Sequence, residues 1–441
     1  MNNASQILLA FASVAVLLGL MAVVKRCAET YDLNAELQRK LVHVGTGLYA
    51  LILPWLFPDR WPVYMLVGIT LGVMLILRLP KVAKGGIGST LHSVNRKSYG
   101  DVFLAMAVGL CLFLAEDQLY LYVLPIAVLT LADAAAALAG TTYGKRLFRV
   151  EDGQKSLEGC VVFFGVTLVL AMVVLMTMTT FASQNIILLA LMVAGFGTLV
   201  EAVSWRGFDN LFLPLGILIF LAGHGSREVW DLVALAGLFT ATLVGFRAVA
   251  PFVGLSNHAA RVYVTTVFIL LAVTAFHNAV LPIFALLAHA RARSIYPSNS
   301  AYPDLDMVAG IILVSLFWLT LGNATGWNAI SFYGMTAMGM TAGFCGLALV
   351  PKTFLWRGLG VCLIVGLLCC IRYWSLSMNA DLRNWNGPMW GGNAINLTFI
   401  LGAVLAVPTF FYRYRVTKVT LASGGIPLAI YSVQTNFGGL A

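Results

Sequence analysis

One acidic residue lies inside an apolar segment, shortly before a basic segment that contains glycines. Asp133 lies about two helical turns before the predicted end of its helix. A carboxylate in an apolar membrane helix is costly unless it is paired, bound to a metal or hydrated, so Asp133 is a functional candidate. Ala134, Ala137 and Gly140 follow it, and their small size leaves room for another backbone or a bulky ligand.

The segment after Asp133 has the composition of an anion-binding site. It contains Gly140, Gly144, Lys145, Arg146, Lys155, Ser156, Glu158 and Gly159. Ser156 can cap the next helix, and the free N–H groups of a helix start favour an anion. An acid for the metal, cations for the phosphates and backbone amides together predict a Mg²⁺–nucleotide site. Alternatively, Lys145 and Arg146 only mark the cytoplasmic side, and Asp133 pairs with a neighbouring helix.

A second group of polar residues lies at a predicted helix–loop–helix junction. Glu201 precedes the loop, Asp209 and Asn210 end it, and Pro214 lies just inside the next helix. The carboxylates could supply a second metal ligand or a base. The alternative is a simple turn with Asp209 or Asn210 as the helix N-cap.

Two further segments carry polar residues at predicted helix starts. Arg39, Lys40 and His43 lie near the start of one helix. Their combination indicates contact with a phosphate or a lipid headgroup, although a lone histidine also serves structural roles. In the segment from Arg96 to Asp101, the acid opens a helix, where the helix dipole alone favours a negative charge.

The elements that position these residues are predicted to be membrane helices. The chain has 441 residues, of which 60% are hydrophobic and 10% charged, and its mean hydropathy is +0.90. This composition excludes a soluble globular protein, a disordered chain and a disulfide scaffold, and it indicates an all-α, polytopic transmembrane helical bundle. The seven cysteines show no C-x-x-C pair or metal spacing. The net charge of +9 indicates membrane topology and an anionic substrate or lipid surface, not nucleic acid.

Hydropathy places about 15 spans (13–15) along the chain. They cover residues 6–24, 41–57, 61–77, 101–115, 119–140, 157–180, 184–203, 210–223, 229–246, 262–276, 278–290, 307–321, 328–350, 354–371 and 395–412. The first apolar run, Ile7 to Val24, is expected to be a span or signal anchor, because no A-x-A cleavage site follows it. With this map, 23 of the 27 Lys and Arg residues fall on one side, which predicts an N-out, C-in orientation. A bacterial inner membrane is the expected location, and an organellar membrane is the alternative.

Taken in their order along the chain, the four segments resemble the CTP-dependent lipid kinase family of phytol kinase, dolichol kinase and the yeast-type diacylglycerol kinase. This family is related to phosphatidate cytidylyltransferases. The residues that match its motifs, within about residues 30–225, are Arg39, Lys40, His43, Gly47; Ser98, Gly100; Asp133, Ala136, Gly140, Gly144; Lys155, Ser156, Glu158, Gly159; and Glu201, Asp209, Asn210, Pro214.

The resemblance implies an integral membrane kinase that uses CTP to phosphorylate a long-chain isoprenoid or other lipid alcohol. Asp133, Asp209 and Lys155 would be catalytic, and Asp133, Asp209 and Glu201 would bind Mg²⁺. The glycine-containing segment would bind the nucleotide, while Arg39, Lys40, His43 and Asn210 would contact lipid or phosphate. A cytidylyltransferase and a lipid transporter or flippase are the alternatives. The P-G-H-G-G and D-R-x-D elements that are typical of the cytidylyltransferase family are absent from this sequence.

The chain is expected to form two membrane domains. Residues 1–225 would form the kinase-like domain, and residues 226–441 an additional domain that matches no known pattern. The second domain contains Asp304 and Asp306 at a predicted helix start, where they are expected to cap the helix, with a metal role as the alternative. It also contains a tryptophan- and glycine-rich segment around Trp385. It could bind a second lipid, transport a molecule or mediate assembly of a homo-oligomer.

Overall fold

The computed structural model describes residues 2–33, 35–77, 99–150, 153–249, 257–296, 298–380 and 387–435. The chain divides into two compact units, Met1–Ala241 and Thr242–Ala441. The expected domain boundary at 225/226 precedes this division, which falls within a helix. The basic connection 78–98 and residues 381–386, which include Trp385, lie outside the described residues.

The first unit consists of helices with one short β-hairpin after the sixth. Its elements are α1 (Asn3–Tyr31), α2 (Ala35–Leu56), α3 (Trp61–Leu77), α4 (Gly100–Leu114), α5 (Tyr120–Ala127), a π-helical turn (Val128–Ala132), α6 (Asp133–Tyr143), β1 (Leu147–Val150), β2 (Gly153–Ser156), α7 (Leu157–Met178), α8 (Ser183–Ala202), α9 (Asp209–His224) and α10 (Val229–Val249). Helix α10 continues past the division between the units.

In the second unit, every described element is a helix. The helices are α11 (Asn257–Val273), α12 (Phe276–Ile295), α13 (Pro303–Thr325), α14 (Ile330–Leu349), α15 (Phe354–Met378), α16 (Trp390–Ala406), α17 (Pro408–Tyr412) and α18 (Arg415–Thr435). Helix α14 is rich in glycine, alanine and threonine, and it packs against α12, α16 and α18. Small side chains allow this close approach between membrane helices.

The fold class is confirmed as an all-α, polytopic membrane bundle. Within the described ranges, nine helices are long and apolar enough to cross a membrane, and five shorter apolar helices of 10–17 residues accompany them. Helices α2 and α12, each predicted as a span, are not in this set. The number of spans and their orientation therefore remain predictions.

Three local features differ from the sequence-based expectation. The basic segment after Gly144 is an antiparallel hairpin, with Leu147 opposite Ser156, and not an open loop. Helix α18 occupies a segment for which no span was predicted. The stretch before Asp133 is π-helical. Each feature depends on tertiary contacts that hydropathy does not record.

Glycines allow helices α6 and α7 to pack closely. An added Cβ at Gly159 would lie 2.9 Å from the carbonyl oxygen of Ala136 and 3.5 Å from the Cα of Gly140. The small residues after Asp133 therefore receive another helix backbone, which is one of the two roles expected from the sequence. This contact fixes the start of α7 beside the helix that carries Asp133.

Candidate active site

One face of helix α2 is directed towards the helix that carries Asp133. Lys40, His43 and Gly47 follow at i, i+3 and i+7, so they share that face. Lys40 Nζ donates to Asp133 Oδ2 at 2.6 Å, and His43 Nε2 lies 3.5 Å from the same oxygen. A side chain at Gly47 would overlap Thr130, so only glycine permits this approach of the two helices.

The π-helical turn Val128–Ala132 explains the position of His43. A π-helical turn interrupts the regular i→i−4 hydrogen bonding and occurs mainly at functional sites. His43 Nε2 donates to the carbonyl oxygen of Leu129 at 3.1 Å. Both Asp133 and His43 are buried, with 5% and 8% of their surface exposed, so their contacts replace water as polar partners.

A tight turn brings Glu201 and Asp209 to the same place. Glu201 lies in the last turn of α8, and Asp209 is the first residue of α9. Between them Arg206 and Gly207 both have positive φ values, 49° and 84°, which reverse the chain within a few residues. Neither Asp209 nor Asn210 is the N-cap of α9, because that position belongs to Phe208. The alternative of a simple capped turn is therefore wrong.

Asp133, Glu201 and Asp209 form one carboxylate cluster. One oxygen atom from each lies within 4.8 Å of the others. Glu201 Oε2 is buried and has no hydrogen-bond partner among the described residues. Three convergent carboxylates with such an unsatisfied oxygen fit a hard divalent cation such as Mg²⁺, which prefers oxygen ligands.

Two ammonium groups offset part of the negative charge of this cluster. Lys40 pairs with Asp133, and Lys155 at the end of β2 pairs with Glu201. Partial burial by itself lowers the pKa of Lys155, but Glu201, Asp209 and Asp133 outweigh this effect and raise the pKa to about 12. Lys155 is therefore charged at any physiological pH.

The β-hairpin and the start of α7 form the opposite wall of the site. Ser156 caps α7 as expected, with its Oγ accepting from the N–H of Gly159 at 3.1 Å. A cavity of about 350 Å³ opens between this wall and the carboxylate cluster. Its volume lies within the range of small-molecule sites.

The predicted site residues divide into those that line this cavity and those that do not. The lining includes Arg39, Lys40, Asp133, Gly140, Lys155, Ser156, Gly159, Glu201, Asp209 and Asn210. His43, Gly144, Lys145, Arg146 and Glu158 are not among the lining residues. Glu158 accepts from the backbone N–H of Arg146 at 3.2 and 3.3 Å, so its carboxylate holds the base of the hairpin.

Sequence reasoning did not select two polar residues that line the cavity. Gln154 lies beside Lys155 on β2, and Arg206 lies in the turn between Glu201 and Asp209. Their positions next to or between predicted site residues could have indicated both of them. The hairpin and the positive φ of Arg206 determine their direction, and neither could be inferred from composition.

Comparison with known proteins finds a relative with a curated name. The chain is 34% identical over 202 residues to a protein described as "Phytol kinase" from Synechocystis sp.. The match covers 43% of this chain and 80% of that relative. No family model matches the sequence, and no solved structure matches it.

The match to this relative, together with the apolar helices, identifies the class of the protein as an integral membrane lipid kinase. The chain belongs to the phytol kinase family. More than half of the chain lies outside the matched region, so the relative accounts for one part of the molecule only.

Proposed function

We propose that this protein transfers the γ-phosphoryl group of CTP to the hydroxyl of a long-chain isoprenoid alcohol. The observation that carries the proposal is the convergence of Asp133, Glu201 and Asp209 opposite Lys155 and the capped start of α7. The relative's name supports phytol or a similar alcohol as acceptor. The motif resemblance supports CTP as donor and the cytoplasmic interface as the place of reaction.

The three carboxylates are suited to hold Mg²⁺. When bound, this ion would neutralise charge that develops on the transferring phosphoryl group. Lys40 and Lys155 hold Asp133 and Glu201 in place, because each ammonium group donates to one of the two carboxylates. The second oxygen of Glu201 stays available because no described residue bonds to it.

The nucleotide phosphates fit the wall formed by β2 and the start of α7. Lys155 supplies a positive charge there, and its flexible stem lets the ammonium group turn from Glu201 towards a phosphate. Gly140 and Gly159 line the cavity without side chains, so a phosphate can approach their backbone. Lys145 and Arg146 are exposed outside the lining, where they can attract the anionic nucleotide over a longer range.

The acceptor hydroxyl approaches from the side of Arg39 and Asn210. Asn210 Nδ2 donates to the carbonyl oxygen of Gly100 at 2.8 Å, which fixes its amide beside α4. We assign Asp209, its neighbour in the chain, to accept the proton that the hydroxyl releases. Phosphoryl transfer passes through a loose transition state, so positioning and charge neutralisation supply most of the catalysis.

Thermal denaturation of the purified protein tests the nucleotide site. CTP together with Mg²⁺ should raise the melting temperature, because a ligand that binds only the folded state stabilises it. EDTA should abolish this rise, and ATP with Mg²⁺ should give a smaller one. No rise with any nucleotide would contradict the proposal and favour a transporter.

A further inference from the structure

A second cavity, which is apolar, adjoins the carboxylate site within the first unit. Its walls come from helices α1, α2, α3 and α4. Arg39 and Asn210 line this cavity and also the polar cavity, so the two spaces meet at these side chains. His43 and Asp101 line the apolar cavity near the same end.

We propose that this apolar cavity binds the hydrocarbon chain of the acceptor alcohol and selects it by length. The inference rests on the proposed function. The alcohol's hydroxyl would lie at Arg39 and Asn210, facing the carboxylate cluster, and its chain would run along α2 away from the cluster.

The length of the cavity follows from helix α2. Arg39 and Leu53 both line it and are 14 positions apart, which corresponds to about 21 Å along the helix axis. This is shorter than the hydrocarbon core of a bilayer, about 30 Å. A chain of three or four isoprene units matches this length, whereas the far longer chain of a dolichol would extend beyond it. Because the volume is only about 140 Å³, such a chain would lie in a partly open groove and not in a closed pocket.

Residues of α1 close the cavity along its length. Tyr49 on α2 donates its hydroxyl to Ser13 Oγ at 2.6 Å, which holds α1 against α2. Val14, which lines the cavity, therefore lies near the level of Tyr49, about 15 Å from Arg39 along the helix axis. At the polar end of the cavity, Met21 and Met74 pack in one buried cluster.

The polar residues at one end distinguish this cavity from a general lipid crevice. Arg39, His43, Asp101 and Asn210 are gathered at the junction, while the rest of the lining is predominantly apolar. A ligand that fits has one polar end and one apolar tail, and its polar end faces the carboxylates. A single-chain alcohol has this form, whereas diacylglycerol would need room for a second chain.

Two valines on α1 provide a matched test. Val14 lines the cavity, whereas Val16 is 55% exposed and is not part of the lining. We would measure kcat/KM of the full-length protein with geraniol, farnesol, geranylgeraniol, phytol, a dolichol and diacylglycerol at saturating nucleotide. The wild type should prefer geranylgeraniol and phytol. Val14→Phe should lower kcat/KM for phytol about tenfold and leave geraniol nearly unchanged, because the added ring blocks only the far part of the cavity.

The outcomes separate the two proposals. If Val14→Phe and Val16→Phe give the same chain-length profile, or if the wild type uses diacylglycerol or the dolichol as well as phytol, the cavity proposal is overturned. If the wild type phosphorylates none of the alcohols, the proposed function fails instead. Val108→Phe, which lies about 12 Å beyond Gly100 along α4 and so fills the far part of the cavity, replaces Val14→Phe if that variant does not fold. It should lower kcat/KM for phytol more than for geraniol.

Discussion

At the scale of single residues, the site depends on buried charges that neutralise one another. Asp133 would be too costly in an apolar helix without a partner, and Lys40 and His43 provide partners from α2. The same contacts tie α2 to the π-helical turn. The residues proposed for chemistry thus also hold the helices together, so each substitution needs a stability measurement beside the activity measurement.

The carboxylates are the first residues to substitute. Asp133→Asn, Glu201→Gln and Asp209→Asn should each lower kcat by about 10²–10³-fold, because each removes charge that stabilises the transferring phosphoryl group. Asp117→Asn is the control, since Asp117 is exposed and pairs only with Arg60 on the surface. Near-normal turnover in all three site variants, with melting temperatures as in the wild type, would disprove the assignment.

The pH dependence of nucleotide binding depends on Lys155. The pKa of its folded form is about 12, above the ordinary value of 10.5. The stabilising charge of Lys155 is therefore complete below pH 10.5 and is lost only as the pH rises through 12. Between about pH 7 and pH 9, the CTP dissociation constant should show no titration from this group.

The variant Lys155→Met separates this charge from other pH effects. It should weaken CTP binding about tenfold at every pH in this range, since one charge-assisted contact is lost throughout. If the ratio of the CTP dissociation constants of variant and wild type falls steeply towards pH 9, Lys155 deprotonates in this range, which would contradict the prediction. Isothermal titration with Mg²⁺ present measures both proteins.

At the scale of secondary-structure elements, the close contact of α6 and α7 positions the phosphate wall. Gly159→Ala should lower the stability by about 1–3 kcal/mol, because the new Cβ would press on the carbonyl oxygen of Ala136. Gly165→Ala on the same helix is the control. No heavy atom lies within 4 Å of its added Cβ, so it should be neutral or slightly stabilising. Equal melting temperatures of the two variants without nucleotide would contradict this packing argument.

The sequence allowed prediction of much of this arrangement, and the limits have physical causes. Asp133 was selected because a carboxylate in an apolar helix is costly, and Glu201 and Asp209 were selected because they share one helix–loop–helix junction. Ser156 was predicted as a cap and is one. That Asp133 pairs with a neighbouring helix was one alternative and is what the structure shows, but Lys40 was not predicted as the partner, because the two residues are far apart in the chain. The hairpin was not predicted either, since its register depends on Glu158 holding the backbone of Arg146.

At the scale of the whole molecule, the chain combines the unit that contains the carboxylate cluster with a second helical unit. The second unit has an ion pair of its own between the buried Asp304 and the partly exposed Arg293, at 3.1 Å. Asp304 was expected to be a helix cap, but Tyr302 occupies the N-cap position of α13. The carboxylate of Asp304 therefore stabilises the interior of the second unit.

All residues proposed for catalysis lie in the first unit, and Asp304→Asn tests this assignment. The variant should lower the stability by about 3 kcal/mol, because a buried pair loses one charged partner. Its kcat and its KM for CTP and phytol, measured per folded molecule at a temperature below the transition, should stay close to the wild-type values. A loss of kcat comparable to that of Asp133→Asn would place a catalytic role in the second unit.

The fate of the phosphoryl groups of CTP shows whether the protein is a lipid alcohol kinase. Purified protein would be incubated with Mg²⁺, phytol and CTP labelled at either the γ- or the α-phosphorus, and the extracted lipid would be counted. We expect the γ-label to enter the lipid and the α-label to stay out of it. We also expect Asp133→Asn to abolish the transfer. Entry of α-label would mean a cytidylyltransferase, and entry of neither label with any isoprenoid alcohol would contradict the assignment as a lipid alcohol kinase.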